Sequence, residues 1–404
     1  MNIDEQVTTL MQGTEYGDQT LKDAMQAELR LRLLEVEKSG RKLRVYAGFD
    51  PRTTDLHLGH TIPMRKLRQF QDLGHDVTFL IGTYTSLIGD PSDQDKLRPQ
   101  LTPQQVEENA RTYAEQAFRV LDRAKTQVRY NSEWLSKLSF AELINFASSF
   151  TLQQFLTREN FRERWDKGDA IYLHETFYPL MQGYDAYTLK ADVQVGGTDQ
   201  LFNILTAARK LMATLGAKPN IGIIMGILPG TDGELKMSKS LGNHIPLNTD
   251  AGDMYGKVMS VPDKAMGAFM RLVTRWTASE IAAKEKGVAA GSLHPRDAKA
   301  EIALEITEIF YGVKAAKAAQ EQFARVFQHG DAPDDLPIHK VAAKQTVLDV
   351  LLSAGLAKSK SEGKRLIEQN GVKLDGAVLS DPNQPFPGSG VLQVGKRRFV
   401  KIEL

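Results

Sequence analysis

The sequence predicts an α/β fold: a doubly wound parallel sheet, then an all-helical domain, then a small α+β module. Three observations carry that expectation. Between residues 44 and 226, short β-prone runs alternate with stretches of helical spacing. After Pro246 only helical spacing recurs, and beyond residue 346 two helical patterns precede three short β-like runs. Strands separated by helices pair in parallel through right-handed crossovers, and such sheets bind ligands at the carboxyl ends of their strands.

In chain order, residues 20–39 carry Leu21, Met25, Leu29, Leu33 and Val36 at three-to-four spacing, an amphipathic helix that Gly40 ends. A strand at 44–49, a helix at 56–73 and a strand at 76–81 follow, then a helix at 103–124 and a strand at 127–130. The sheet pattern finishes with a helix at 173–190, a strand at 191–195, a helix at 198–215 and a strand at 221–226. Helices are expected at 253–260, 263–274, 278–286, 295–310 and 313–327. The tail reads as helices at 346–354 and 360–369 and strands at 372–374, 391–394 and 399–402. The expected domains are therefore 1–228, with a segment of about 110–175 between the sheet halves; 229–328, a glycine-bracketed loop and helices; a turn-rich linker, 329–340; and 341–404. Within 110–175, Phe140, Leu143, Phe146, Phe150, Phe155 and Phe161 form an apolar set suited either to a subunit interface or to one subunit's interior.

The chain has 404 residues and no cysteine, which excludes disulfides, thiolate metal sites and cysteine nucleophiles. Its first 17 residues are polar and acidic, without the basic start and apolar run of a leader, so a cytoplasmic location is expected. The longest apolar stretch, 221–228, is far below the roughly 18 residues of a membrane span, so no membrane partner is expected. A net charge of +1 argues against a polyanionic partner until it is divided. Residues 341–404 hold ten Lys or Arg against six Asp or Glu, a net of +4, which leaves −3 on the first 340. A basic module ends an acidic body.

Two motifs carry chemistry. His57-Leu58-Gly59-His60 follows the first strand and places two imidazoles on one face of a helix's first turn, where unpaired amides attract anions. The pair alone also fits a chance cluster or half a metal site, but the His-Glu-x-x-His of a zincin is absent and no third ligand is placed nearby, so no metal site is expected. Lys236-Met237-Ser238-Lys239-Ser240 lies just past the last strand, bracketed by Gly230, Gly233 and Gly242, a loop able to close over a polyphosphate. Together the two motifs resemble the signature pair of class I aminoacyl-tRNA synthetases, whose catalytic domain is Rossmann-like. Three further stretches, Ile88–Ser92, Tyr178–Asp185 and Gln194–Gln200, are similar to those of the bacterial-type tyrosyl-tRNA synthetases, and the resemblance runs through essentially the whole chain.

That resemblance implies an ATP-dependent tyrosine–tRNA ligase that forms tyrosyl-adenylate and passes tyrosine to the 3′ end of its tRNA. It implies that Tyr46 and Asp185 bind the phenol hydroxyl, that Asp90, Tyr178 and Gln182 hold the ammonium, and that Thr85 and Gln194 line the pocket. A site built to hydrogen-bond a hydroxyl rejects the analogue lacking it by about 10⁴–10⁵, a range for which this family is itself the standard example. It assigns His57 and His60 to the ATP phosphates, and Gly48, Asp50, Gly59 and Gly197 to close contacts along the nucleotide. Asp199 falls to the ribose, Gln200 to the reacting carboxyl, and Lys236 and Lys239 to pyrophosphate. The resemblance further implies ATP carrying Mg²⁺ as substrate, no resident metal, and a homodimer as the working form.

Some positions depart from the commoner pattern. Arg52 stands where Thr is frequent, Asp93-Gln94-Asp95 replaces a Gly and basic residue, leaving Lys96 and Arg98 as the nearest cations, and Leu201-Phe202 replaces Trp-Gly. The Gly390–Arg397 run fits most of a phosphate loop but lacks the Ser/Thr and the following helix. With Lys358, Lys360, Lys364 and Arg365, the cations Lys396, Arg397 and Arg398 instead make the tail resemble the RNA-binding domain named after ribosomal small-subunit protein four. The rivals are the tryptophanyl enzyme, an adenylyltransferase on the same sheet, and an RNA-folding factor on a synthetase scaffold.

Overall fold

The computed structural model describes all residues except 53–54, 94–100, 326–335, 337, 342–344, 358, 396–397 and 404. Two compact units divide at Gly312: Met1–Gly312 and Val313–Leu404. The helix Pro295–Ala324 is broken there, because Gly312 adopts φ 79° and ψ 165°, which no L side chain favours.

The first unit is built on five parallel strands, β1 (Arg44–Phe49), β2 (Asp76–Ile81), β3 (Thr126–Tyr130), β4 (Val193–Gly197) and β5 (Ile221–Met225), in the order β3-β2-β1-β4-β5. The chain winds outward from β1 through β2 to β3, then returns to lay β4 on the other flank of β1. Crossovers therefore leave in opposite directions between β1 and β4, and a crevice opens at their carboxyl ends. Val45 pairs with Val193 and Tyr46 with Gln194 across that seam. β5 is buried along its whole length, the pattern of a strand covered on both faces.

β1 and β2 span the expected residues. β4 starts two residues later than its spacing suggests; just before it, the Asp192 amide donates to the Arg44 carbonyl and its carbonyl accepts from Ile221, both at 2.8 Å, while its buried carboxylate pairs with Arg32 at 2.8 Å and Arg41 at 2.8 Å. The strand also runs two residues past the expected end, which places Gly196 and Gly197 at its carboxyl end. The helix expected at 198–215 is a 3₁₀ turn (Thr198–Gln200), a π-helical stretch (Phe202–Ala208) and an α-helix (Arg209–Thr214). The wide π turn seats against glycines: a Cβ on Gly196 would lie 2.6 Å from Ile204, and one on Gly222 2.4 Å from Leu205. The helix expected at 103–124 stops at Ala117. The helix Ile3–Met11, capped by Asn2 and Glu5, and four short helices between Ser132 and Lys167 carry no long periodic signal.

The second unit carries a sheet in the order β6-β10-β9-β7-β8: β6 (Ile338–Lys340), β7 (Val372–Leu374), β8 (Ala377–Val378), β9 (Gly390–Val394) and β10 (Arg398–Glu403). Helices Val347–Ser353 and Lys360–Glu368 bury Val350, Leu351 and Ile367 in one core with Val372, Leu392, Val394 and Ile402. Ile338–Lys340, inside the stretch read as linker, is the parallel edge partner of β10.

Candidate active site

β1 delivers Tyr46 and Gly48 to the crevice and, one residue past its end, Asp50. Tyr46 is almost wholly buried and its hydroxyl donates to the Gln182 carbonyl at 3.4 Å. Burial, with the Asp185 charge beside it, pushes that phenol well above its usual pKa. Asp185 comes from the helix Phe177–Thr188 and accepts two hydrogen bonds, from Trp134 Nε1 at 2.7 Å and from Asn131 Nδ2 at 3.2 Å. Those donors favour the carboxylate, yet burial outweighs them and pushes Asp185 up to about 8.

Asn131 also donates to Thr85 Oγ1 at 3.0 Å, and Thr85 donates onward to Asp50 Oδ1 at 2.7 Å. The other Asp50 oxygen accepts from the Tyr178 hydroxyl at 3.1 Å. Burial pushes Asp50 up to about 7, opposed by the Thr85 bond and reinforced by the charge of Asp90. A chain of hydrogen bonds thus links two desolvated carboxyls across one floor, an arrangement common where a ligand supplies the missing donors. The floor depends on Gly82, where a Cβ would lie 2.0 Å from Asp50 Oδ1 and 2.4 Å from Thr85 Oγ1.

Asp90 sits past β2. One of its oxygens accepts the Ser92 amide at 2.9 Å and the other accepts from Gln200 Nε2. Gln194 is buried on β4 and accepts from Asn220 Nδ2 at 2.9 Å. Gln182 Oε1 is buried with no hydrogen bond among the described residues, an acceptor aligned with the need of a cationic ligand.

At the opposite end, His57 caps and His60 closes the 3₁₀ turn Leu58–His60 that feeds the helix Thr61–Asp72, so the α-helix starts after both histidines and not at about 56 as expected. Their ring centroids are 3.8 Å apart. The His57 amide donates to His60 Nδ1 at 3.1 Å, which leaves the proton of the neutral His60 ring on Nε2. Burial pulls His57 down to about 2 and His60 to about 4, with Lys236 adding to both, so both rings are neutral donors at pH 7. Gly59 lies under the His57 ring, where a Cβ would approach it to 3.1 Å.

The lysine-bearing loop folds back on itself. The Gly230 amide donates to the Leu235 carbonyl at 2.8 Å, the Thr231 amide to Asn243 at 2.8 Å and the Met237 amide to Leu228 at 2.9 Å. Met237 is buried, whereas Lys236 and Lys239 are exposed. Lys236 Nζ pairs with Asp199 at 3.0 Å and Lys239 Nζ with Asp55 at 3.0 Å. Exposed pairs of this kind contribute at most about 1 kcal/mol, so either lysine can leave its carboxylate for a phosphate.

These groups surround one cleft of about 700 Å³, whose walls include every active-site residue expected from sequence apart from Lys239. Sequence reasoning missed Gly82, Asn131 and Trp134 behind the phenol end and Asp55 at the lysine loop. Only Gly82, directly after a strand, had a local signal. In the second unit, Lys360, Lys364 and Arg365 are exposed on one helix and Arg398 lies on β10, its guanidinium bonded to the Leu356 carbonyl. Lys96, Arg98, Lys358, Lys396 and Arg397 lie outside the described residues. Among the described residues, no three His, Asp or Glu side chains are grouped to hold a metal ion, and no helix is long and apolar enough to cross a membrane.

Residues 38–328 match the family described as tRNA synthetases class I (W and Y), and residues 348–390 match the S4 domain. A tyrosine–tRNA ligase of Thermotoga maritima is 46% identical over 372 residues, covering 92% of each chain. One of Oleidesulfovibrio alaskensis is 45% identical over 406 residues, covering 100% of this chain and 99% of its own. The fold is also that of solved tyrosyl-tRNA synthetases. A C-terminally truncated mitochondrial enzyme of Aspergillus nidulans superposes with a TM-score of 0.63 at 23% identity over 80% of this chain and 94% of its own. The Archaeoglobus fulgidus enzyme complexed with L-tyrosine does so with 0.61 at 22%, over 79% and 100%. With a family match over most of its length and relatives 45–46% identical over more than nine-tenths of it, the chain belongs to the class I tRNA synthetases, among the tyrosine–tRNA ligases.

Proposed function

We propose that this cleft activates L-tyrosine with ATP to enzyme-bound tyrosyl-adenylate and pyrophosphate, then transfers tyrosine to the 3′-terminal adenosine of its tRNA. The observation that carries the reading is the polarity of one cavity. A buried Tyr46 with Asp185 closes one end, and neutral His57 and His60 stand beside Lys236 at the other.

Tyrosine enters with its phenol against Tyr46 and Asp185 and its ammonium toward Asp90, Tyr178 and the unpaired Gln182 Oε1. Thr85 and Gln194 complete the wall. Phenylalanine would leave Asp185 desolvated and short of a donor, a cost paid only by the wrong amino acid. ATP, carrying Mg²⁺, lies along Gly48, Asp50, Gly59 and Gly197 with its ribose on Asp199. The tyrosine carboxylate, held near Gln200, attacks the α-phosphorus. A new O–P bond forms, the bond to the bridging oxygen breaks, and pyrophosphate leaves with that electron pair. No protein nucleophile is needed. His57 and His60 donate to the phosphate oxygens as charge builds, while Lys236 and Lys239 exchange their carboxylates for the leaving pyrophosphate.

The helices of 229–328 would meet the anticodon arm, and the basic face of 341–404, with Lys360, Lys364, Arg365 and Arg398, another part of the same tRNA. Phosphate contacts of that kind weaken with salt. The apolar set of 110–175 divides: Phe146, Phe155 and Phe161 are buried, Leu143 and Phe150 half-buried and Phe140 77% exposed, and outside that set Ile144, Leu152 and Leu173 are 55–73% exposed. An exposed apolar patch of this kind supports a homodimer, and the enzyme's place is the cytoplasm. Incubating the protein with ATP, labelled amino acid and total bacterial tRNA tests the reading. Tyrosine and not tryptophan becomes acid-precipitable; label from tryptophan alone, or from neither, overturns it.

A further inference from the structure

Arg158 belongs to none of the expected motifs, yet the residue is only 6% exposed. It lies over the Phe161 ring at 4.8 Å and the Phe202 ring at 5.3 Å, two faces that fix where its fork points. Nη2 donates to Ser92 Oγ at 2.7 Å. Burial lowers the guanidinium's pKa, and the largest influence opposing that is the charge of Asp90, so the two groups feel one another.

Ser92 is where this contact becomes specific. Its amide donates to Asp90 Oδ1 at 2.9 Å, and its hydroxyl accepts from both Arg158 and Asn203 Nδ2, the latter at 3.3 Å. Asn203 also donates to Gln200 Oε1 at 3.1 Å, and Gln200 donates to the second Asp90 oxygen. The ring of bonds returns to its start with Asp90 held at both oxygens. The phenol end is tied separately, through Trp134, Asn131 and Thr85.

We infer that Arg158 is a positioning residue for the ammonium subsite: through Ser92 it sets the direction of the Asp90 carboxylate and so the preference for a ligand with an α-ammonium over one without. This rests on the tyrosine reading of the cleft. Arg158 touches no substrate, so its loss should be read in one part of the ligand only.

The test compares calorimetric binding of L-tyrosine with that of 3-(4-hydroxyphenyl)propanoate, which keeps the phenol and carboxylate and lacks the ammonium. In Arg158→Met the Kd for tyrosine rises about tenfold or more, as loss of a charge-assisted bond predicts, while that for the propanoate changes less than about twofold. Arg158→Lys restores part of the difference. Ser92→Ala gives the same selective loss with the guanidinium still stacked, so the inference stays testable if the methionine variant unfolds. Equal weakening of both ligands, or an unchanged tyrosine Kd in both variants, overturns it. If the wild-type protein itself shows no preference for tyrosine over the propanoate, the tyrosine reading fails instead.

Discussion

Trp134 donates its indole N–H to Asp185 Oδ1 at 2.7 Å, and both side chains are buried. Trp134 lies 51 residues before its partner and in a different helix, so the bond orients a carboxylate that cannot reorient through water. Trp134→Phe keeps the bulk and removes the donor. Leaving a buried polar group without its donor costs about 1–3 kcal/mol, so discrimination between tyrosine and phenylalanine should fall about 5- to 100-fold. The ratio of kcat/KM for the two amino acids in pyrophosphate exchange measures it, and an unchanged ratio refutes the role.

Gly82→Ala tests the floor. A Cβ would displace Thr85 Oγ1 or Asp50 Oδ1, and neither can retreat without breaking the chain between them. Tyrosine binding should weaken about tenfold or more and unfolding stability should drop by about 1–3 kcal/mol, the usual cost of overpacking. Equilibrium dialysis and urea unfolding read the two effects.

The raised carboxyls give a pH dependence with a defined sign. Asp185 at about 8 and Asp50 at about 7 hold their protons in the folded ligand-free chain, whereas unfolded carboxyls release them near 4. Their stabilising contribution is complete below about 4 and is lost as pH rises through 7 and 8. His57 and His60 act oppositely, adding stability as pH rises from their folded values, about 2 and about 4, toward 6.5. Lys66, buried and pulled down to about 7, adds stability as pH rises from there. Comparing Asp185→Asn with wild type cancels the shared groups. The difference in Tm should move in favour of the variant between pH 6 and pH 9, and a constant difference contradicts the buried neutral carboxyl.

Lys236→Ala and Lys239→Ala should lower the rate of adenylate formation about 10²- to 10³-fold, as loss of a donor aimed at developing charge does. Tyrosine Kd should stay within about twofold, since Lys236 lies at the end of the cleft away from Tyr46 and Asp185 and Lys239 lies outside its walls. Rapid-quench kinetics separates the two quantities. A large change in tyrosine Kd contradicts the assigned roles.

Much of the sheet was legible in sequence because β1 and β2 are short apolar runs between clear breaks, and the site motifs sit at strand ends where local pattern is strongest. The π-helical stretch after β4 was not, since it arises from close seating on Gly196 and Gly222 rather than from its own residues. Four short helices between 132 and 167 escaped because none is long enough to show a period, although Ser139 with Glu142 and Thr151 with Gln154 form capping boxes. Asn131, Trp134 and Arg158 reach the site only through contacts 46 to 66 residues away in sequence. No local spacing encodes them.

The most direct test of the account is amino-acid-dependent exchange of pyrophosphate into ATP by the purified chain, measured separately with tyrosine, tryptophan and phenylalanine. The account predicts exchange with tyrosine, abolished in His60→Ala and in Asp185→Ala. Exchange driven by tryptophan, or none with tyrosine, would contradict it.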